Sequence, residues 1–216
     1  MGKHFNEIFE RISDEKRTRI LNIAISEFAS KGFTNTNTNT IAEKAGISVG
    51  SLYKYFETKE DFFLTVVDYG IAQLEETLRS VLLEPLDLLG KIERIIRIIQ
   101  KHSRENADII RLYNELTSES KKDLISRLSG EMESLSANYY IKLIEDSKQD
   151  GLIRETVDSR LAAFLLDNLF MTLQFSYATV YYRERMKVYL GETNVDDDEA
   201  VVRGMMDFIR GAIARI

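Results

Sequence analysis

A single proline, Pro85, occurs in these 216 residues. Proline ends or kinks a helix, so a chain this poor in it can run in long helices. The spacing of its apolar residues predicts that it does: they recur at i, i+3, i+4 and i+7, and no convincing strand-like alternation appears. Phe5, Ile8, Phe9 and Ile12 predict a short leading helix. Ile20, Leu21, Ala24, Phe28 and Ala29 form the inner face of the next, which starts near Ser13–Asp14 and stops at Gly32. A helix capped by Thr58 is expected to reach about Leu83, because the residue before proline disfavours helix. Further helices are expected over about 86–103, 107–117, 121–149, 159–189 and 199–214, with Gly151 and Gly191 as stops. Long helices on short loops make a bundle, so the expected fold class is all-α.

Composition removes several function classes. At 24.9 kDa, with 44% hydrophobic and 30% charged residues, the chain reads as globular and able to bury a core. It has no cysteine, which excludes disulfides, thiolate catalysis and cysteine-bound zinc. The start, MGKHFNEIFERISDEK, is too charged for a signal peptide. The most apolar stretch, 161–175, carries Asp167, Asn168 and Gln174 and reads as a buried helix rather than a membrane span. A cytoplasmic protein without a membrane partner is the expectation. The formal net charge of -6 is uneven: residues 1–66 balance nine basic against nine acidic side chains, and the remainder carries the whole excess. Any binding to nucleic acid must then come from a local face.

One stretch offers such a face. Residues 38–59 read TNTIAEKAGISVGSLYKYFETK, two short helix signals meeting at Gly46. The first has two candidate caps, Thr38 and Thr40, the latter in capping-box spacing with Glu43. The second is capped by Ser48, with Ile47 and Leu52 spaced as a hydrophobic staple. Ile41, Ala42, Ala45, Ile47, Leu52 and Phe56 are expected inward. That leaves Ser48, Val49, Gly50, Tyr53, Lys54 and Tyr55 outward, small residues first and then two rings and a cation. Small residues let a helix start approach a groove, free N–H groups there favour phosphate, and tyrosine meets phosphate or a thymine methyl. Lys59 opens a helix, a poor place for a cation unless a phosphate lies near. The bland reading is a helical hairpin used only for packing; it leaves the Tyr-Lys-Tyr run without a role.

The order GF…T-x-T-x-T-IAEKAGIS-x-GSLYKYFETKEDFF, over about residues 20–67, resembles the DNA-binding domain of the tetracycline-repressor (TetR) family of bacterial regulators. The resemblance implies a three-helix helix-turn-helix domain, taken here as 1–66 with the leading helix, followed by a helical domain over 67–216. It implies a homodimer through the last two long helices, a double-stranded operator as partner, and a small effector bound in the second domain. Matched position by position, Thr38 would contact phosphate, Lys59 would clamp one, and Ser48, Val49, Gly50, Tyr53, Lys54 and Tyr55 would face DNA. Position 55 departs from the family's frequent histidine, and Asn39 stands where some relatives carry a base-reading arginine; asparagine reads adenine. The expected function is a regulator, most simply a repressor released by a small, largely apolar effector. The rivals are an activator of the same fold and a helical ligand-binding or adaptor protein that no longer reads DNA.

The rest of the chain is less explicit. Phe170, Met171, Gln174 and Phe175, with Tyr113, Asn114 and Tyr140 opposite, are candidate effector-binding residues; core or dimer interface is the plain alternative for a stripe at helical spacing. His4 and His102 lack a second ligand at metal spacing, and the acidic run 196–199 reads as a lead-in to a helix N-terminus. No phosphate loop or serine elbow occurs, so neither enzyme activity nor a cofactor or metal is expected.

Overall fold

Capping side chains divide the chain into its helices. In the computed structural model, which describes residues 4–117 and 122–215 (side chains at 74, 75, 78, 82, 115–117, 122–133 and 135 excepted), α1 is Glu7–Arg11 and α2 Asp14–Asn35. The Ser13 hydroxyl accepts from Lys16 N at 3.3 Å to start α2, which breaks at Gly32, φ 70°. Helices α3 (Thr38–Lys44) and α4 (Val49–Tyr55) follow, then α5 (Lys59–Leu82). At its start Thr58 Oγ1 accepts from Asp61 N at 3.0 Å, while Asp61 accepts from Thr58 N at 3.2 Å. This reciprocal pair satisfies two helix-end donors at once.

After Pro85, Asp87 accepts from Gly90 N at 2.8 Å, so α6 is Leu88–Glu105, two residues later than expected at each end. α7 is Ala107–Thr117 and α8 Lys122–Gln149; the expected start at 121 lies outside the described residues. The helix expected over 159–189 is two: α9 (Ser159–Ala178) and α10 (Val180–Leu190). Between them Thr179 is extended, φ -121° and ψ 147°, and its hydroxyl bonds Phe175 O at 3.0 Å. Such back-bonding competes with the helix ladder. The last helix, α11, is Asp198–Ile213, capped by Asp197. An isolated antiparallel bridge joins Ile153 to Ala214.

The helices group into two compact units. One holds α1 to α4, α5 as far as Leu74, and α7 from Asp108. Its core is aromatic: Phe9, Phe28, Phe56, Phe62 and Phe63 are all about 1% exposed or less. Phe56 stacks on Phe62 at 4.4 Å and Phe28 meets Phe63 edge-on at 4.9 Å. The other unit holds the rest of α5 with α6, α8, α9, α10 and α11. Its core joins Ile92, Ile95, Ile96 and Ile99 of α6 to Tyr140 and Ile144 of α8, Leu166 and Phe170 of α9, and Val202, Met206 and Ile209 of α11. Burying each such side chain contributes about 1.5–3 kcal/mol.

Candidate nucleic-acid interface

The two short helices α3 and α4 are joined by a turn that backbone hydrogen bonds define completely. Gly46 has φ 66°, its N–H donates to Glu43 O at 3.0 Å, and the Ile47 N–H donates to Ala42 O at 3.0 Å. This pair of bonds needs a left-handed residue at the glycine. Both caps of α3 proposed from spacing are superseded: Asn37 is the cap, its side chain accepting from Asn39 N at 2.9 Å. Asparagine offers a short carbonyl one residue before the helix, and that leaves the Thr38 hydroxyl free for another partner. Ser48 caps α4 as expected, accepting from Ser51 N at 3.0 Å.

Most of the outward set on α4 is where the spacing puts it. Val49 is 36% and Tyr53 48% exposed, and Ser48, Gly50 and Lys54 are exposed as well. A Cβ on Gly50 would approach only Ser48 Oγ, at 3.9 Å, so the helix start stays open. Asn39 on α3 is exposed, whereas Thr38 is buried, its hydroxyl 3.2 Å from that of Tyr53. Thr38 therefore fixes the direction of the Tyr53 ring. Lys59 donates to Thr34 O at 3.2 Å and sits 4.9 Å over the Phe33 ring, which holds a cation at the edge of the same surface.

Tyr55 is a correction. Expected outward, it is 5% exposed, with its ring 5.5 Å from Phe9 and 6.3 Å from Phe56. The signal was in the spacing: position 55 is three beyond Leu52 and adjacent to Phe56, so it lies within their arc of the helix. Residues 50, 53 and 54 lie on the other side, and Val49, in the first turn, is at the margin between the two.

The two helices are braced from behind. Glu27 of α2 is 4% exposed and paired with Lys31 at 2.7 Å and with Lys44 of α3. Hydrogen bonds from both lysines hold its carboxyl below the usual range, against the desolvation that would raise it. Sequence reading missed this residue, because a glutamate on a helix face gives no sign of burial.

The candidate effector residues fall in both units. Tyr113 and Asn114 lie on α7 in the first, half-buried. In the second, Phe170 is 2% exposed with its ring 5.6 Å from Tyr140, and Phe175 packs on Tyr182 at 5.2 Å. Met171 and Gln174 are half-buried. Burial drives the Tyr140 hydroxyl well above its ordinary range. Beside it, Tyr139 is pushed up to about 12, and its hydroxyl is buried without a partner, as is that of Ser103. The acidic run is fully engaged: Asp196 pairs with Arg183, Asp197 caps α11, Asp198 takes Arg104 in two bonds of 2.6 and 2.7 Å, and Glu199 pairs with Arg97. Tyr177 and Gln100 join Asp198, at 3.1 Å to its carboxylate and 3.0 Å to its carbonyl.

The profile described as "Bacterial regulatory proteins, tetR family" matches residues 20–66, which take in α3, its turn and α4. The "HTH-type transcriptional repressor KstR2" of Rhodococcus jostii is 26% identical over 165 residues, 74% of this chain and 79% of that protein. Among solved structures, the fatty acid degradation regulator FadR of Bacillus halodurans superposes with TM-score 0.72 at 19% identity, covering 90% of this chain and 97% of that one. FadR of Bacillus subtilis, solved with stearoyl-CoA, does so with TM-score 0.68 at 20% identity, covering 89% and 96%. A capped helix pair with an outward polar arc, a matching profile and relatives that regulate transcription converge: residues 20–66 carry the DNA-binding domain of the tetR family of transcriptional regulators.

Proposed function

We propose that this regulator is a repressor that binds a roughly palindromic operator as a homodimer and is released by a fatty acyl thioester. The observation that carries the reading is the outward arc of α4, with Val49, Gly50, Tyr53 and Lys54 exposed on a helix whose other arc is core. Ser48 and Asn39 flank that arc, Thr38 orients Tyr53, and Lys59 supplies the phosphate clamp. One α4 enters a major groove per subunit, with half-site centres about 34–36 Å apart or a multiple of that. Residues 1–66 carry this DNA-reading function and 67–216 the dimer contacts and effector site.

The effector class rests on two supports. The Bacillus subtilis relative holds stearoyl-CoA, and the second unit here combines an apolar core with two buried hydroxyls, Ser103 and Tyr139, that have no partner. An apolar chain ending in a polar carbonyl matches that combination. Met171 and Gln174, the other candidates on α9, are half-buried.

Gel shift against the DNA upstream of the protein's own gene, over a salt series, tests the reading. Selective binding that weakens with salt is expected. Tyr53→Ala should abolish selective binding, and Lys59→Ala should weaken binding to all sequences alike and flatten the salt slope. Stearoyl-CoA should release the complex. Absence of any selective shift would leave the helical ligand-binding protein as the better account.

A further inference from the structure

Helix α4 has seven residues, too few to hold their own shape in water, so its direction is inherited from whatever packs on it. Its first end is set by the turn at Gly46 and the Ser48 cap. Its last end presents the carbonyls of residues 52–55, which have no partner inside the helix. Phe56 N takes that of Leu52 at 3.0 Å. Two of the others are taken by one residue far away in sequence: the Asn6 N–H donates to Tyr55 O at 2.8 Å, and Asn6 Nδ2 donates to Lys54 O at 3.2 Å.

Beside Asn6 the leading helix drives an aromatic plug into the same place. Phe9 is 1% exposed, with ring centroids 4.7 Å from Phe56 and 5.5 Å from Tyr55. Phe5 closes on Phe9 at 5.5 Å, and the Lys16 ammonium lies 5.9 Å over the Tyr55 ring. The segment is also tied to α5, where the Thr65 hydroxyl sits 3.1 Å from His4 O. All of α1 precedes the family-matched residues 20–66.

We propose that residues 5–12 are a built-in brace that sets the tilt of the reading helix, with Asn6 and Phe9 as positioning residues for sequence-specific binding. The proposal rests on α4 being the element that reads DNA. A hydrogen bond to a base edge tolerates only a few tenths of an ångström, whereas a flexible lysine follows a phosphate through a larger shift. Loosening the far end of α4 therefore costs discrimination before it costs attraction to DNA. The buried position of Tyr55 has its purpose here: it is the seat of the brace.

The test uses the full chain and two duplexes, one selected by the wild-type protein from a random pool and a shuffled control. Asn6→Asp keeps the side-chain shape and the backbone donor but removes the donor to Lys54 O. It should lower affinity for the selected duplex about tenfold, while control affinity and salt slope stay within about twofold of wild type. Phe9→Ala should behave alike, and Phe9→Leu, which keeps an apolar plug, should restore selective binding. Wild-type selective affinity in Asn6→Asp overturns the brace, as does equal loss on both duplexes. If the wild-type protein does not distinguish the duplexes, the DNA-reading function itself falls, and that result is read without any variant.

Discussion

Glu27 shows how one side chain can hold an interface it never touches. It is buried, yet both partners, Lys31 and Lys44, keep their stems near the surface at 45% and 57% exposure. Its carboxyl is held below its ordinary value of about 4.3, so the pairing contributes stability above that pH and loses it as pH falls through the lower folded value. Glu27→Gln should cost about 1–2 kcal/mol near neutral pH. Thermal unfolding of variant and wild type should converge once the pH is below that lowered folded value; an unchanged gap at low pH would assign the loss to packing instead. Tyr55 makes the converse point. Its polar hydroxyl suggests an outward role, yet its ring is core because of the arc it occupies.

At the scale of elements, caps decide boundaries, and those that a single residue supplies were legible. Ser48 and Thr58 both act as their spacing predicts. For α3 the spacing offered Thr38 and Thr40, whereas the cap is Asn37, whose side chain accepts from Asn39 N. Asn37→Ala should therefore cost about 1 kcal/mol, whereas Thr40→Ala should stay within about 0.5 kcal/mol. Comparison of the two by chemical denaturation decides the matter, and a larger loss at Thr40 would restore the capping box. The break at Thr179 was not legible, because β-branched and aromatic residues continue the helical spacing straight through it. It is made by contacts on either side: Tyr182 folds back on Phe175, and Arg183 reaches Val195 O at 3.1 Å.

For the whole molecule the unfinished surfaces matter most. On α9, Leu161, Phe164 and Leu165 are each more than half exposed at helical spacing; on α11, Phe208 is 65% exposed between Gly204 and Gly211. Added Cβ atoms at those two glycines would meet nothing within 4 Å, so a second backbone can approach there. These are the last long helices, and the proposed homodimer would use them as its faces. Phe164→Glu combined with Phe208→Glu should shift sedimentation from dimer to monomer. It should also lower affinity for the selected duplex by more than about a hundredfold, since each half-site is then held alone. A variant that still sediments as a dimer would move the interface elsewhere, with the exposed α10 residues Val180, Tyr181 and Val188 next in line.

What the chain's own order of residues settled was local: helices from spacing and a lone proline, most ends from caps, and most of the exposed arc of α4 from its spacing. Those follow from interactions within a few residues; the helix-turn-helix regulator is what the family resemblance carried by residues 20–67 implies. Tertiary structure alone decided which polar residues go inside. Tyr55, Glu27, Thr38 and the pair Ser103 and Tyr139 are buried by neighbours distant in sequence, as is the engagement of Asn6 with the end of α4 across 48 residues. Burial is a property of the packed unit, and no local pattern encodes which distant helix will cover a given side chain.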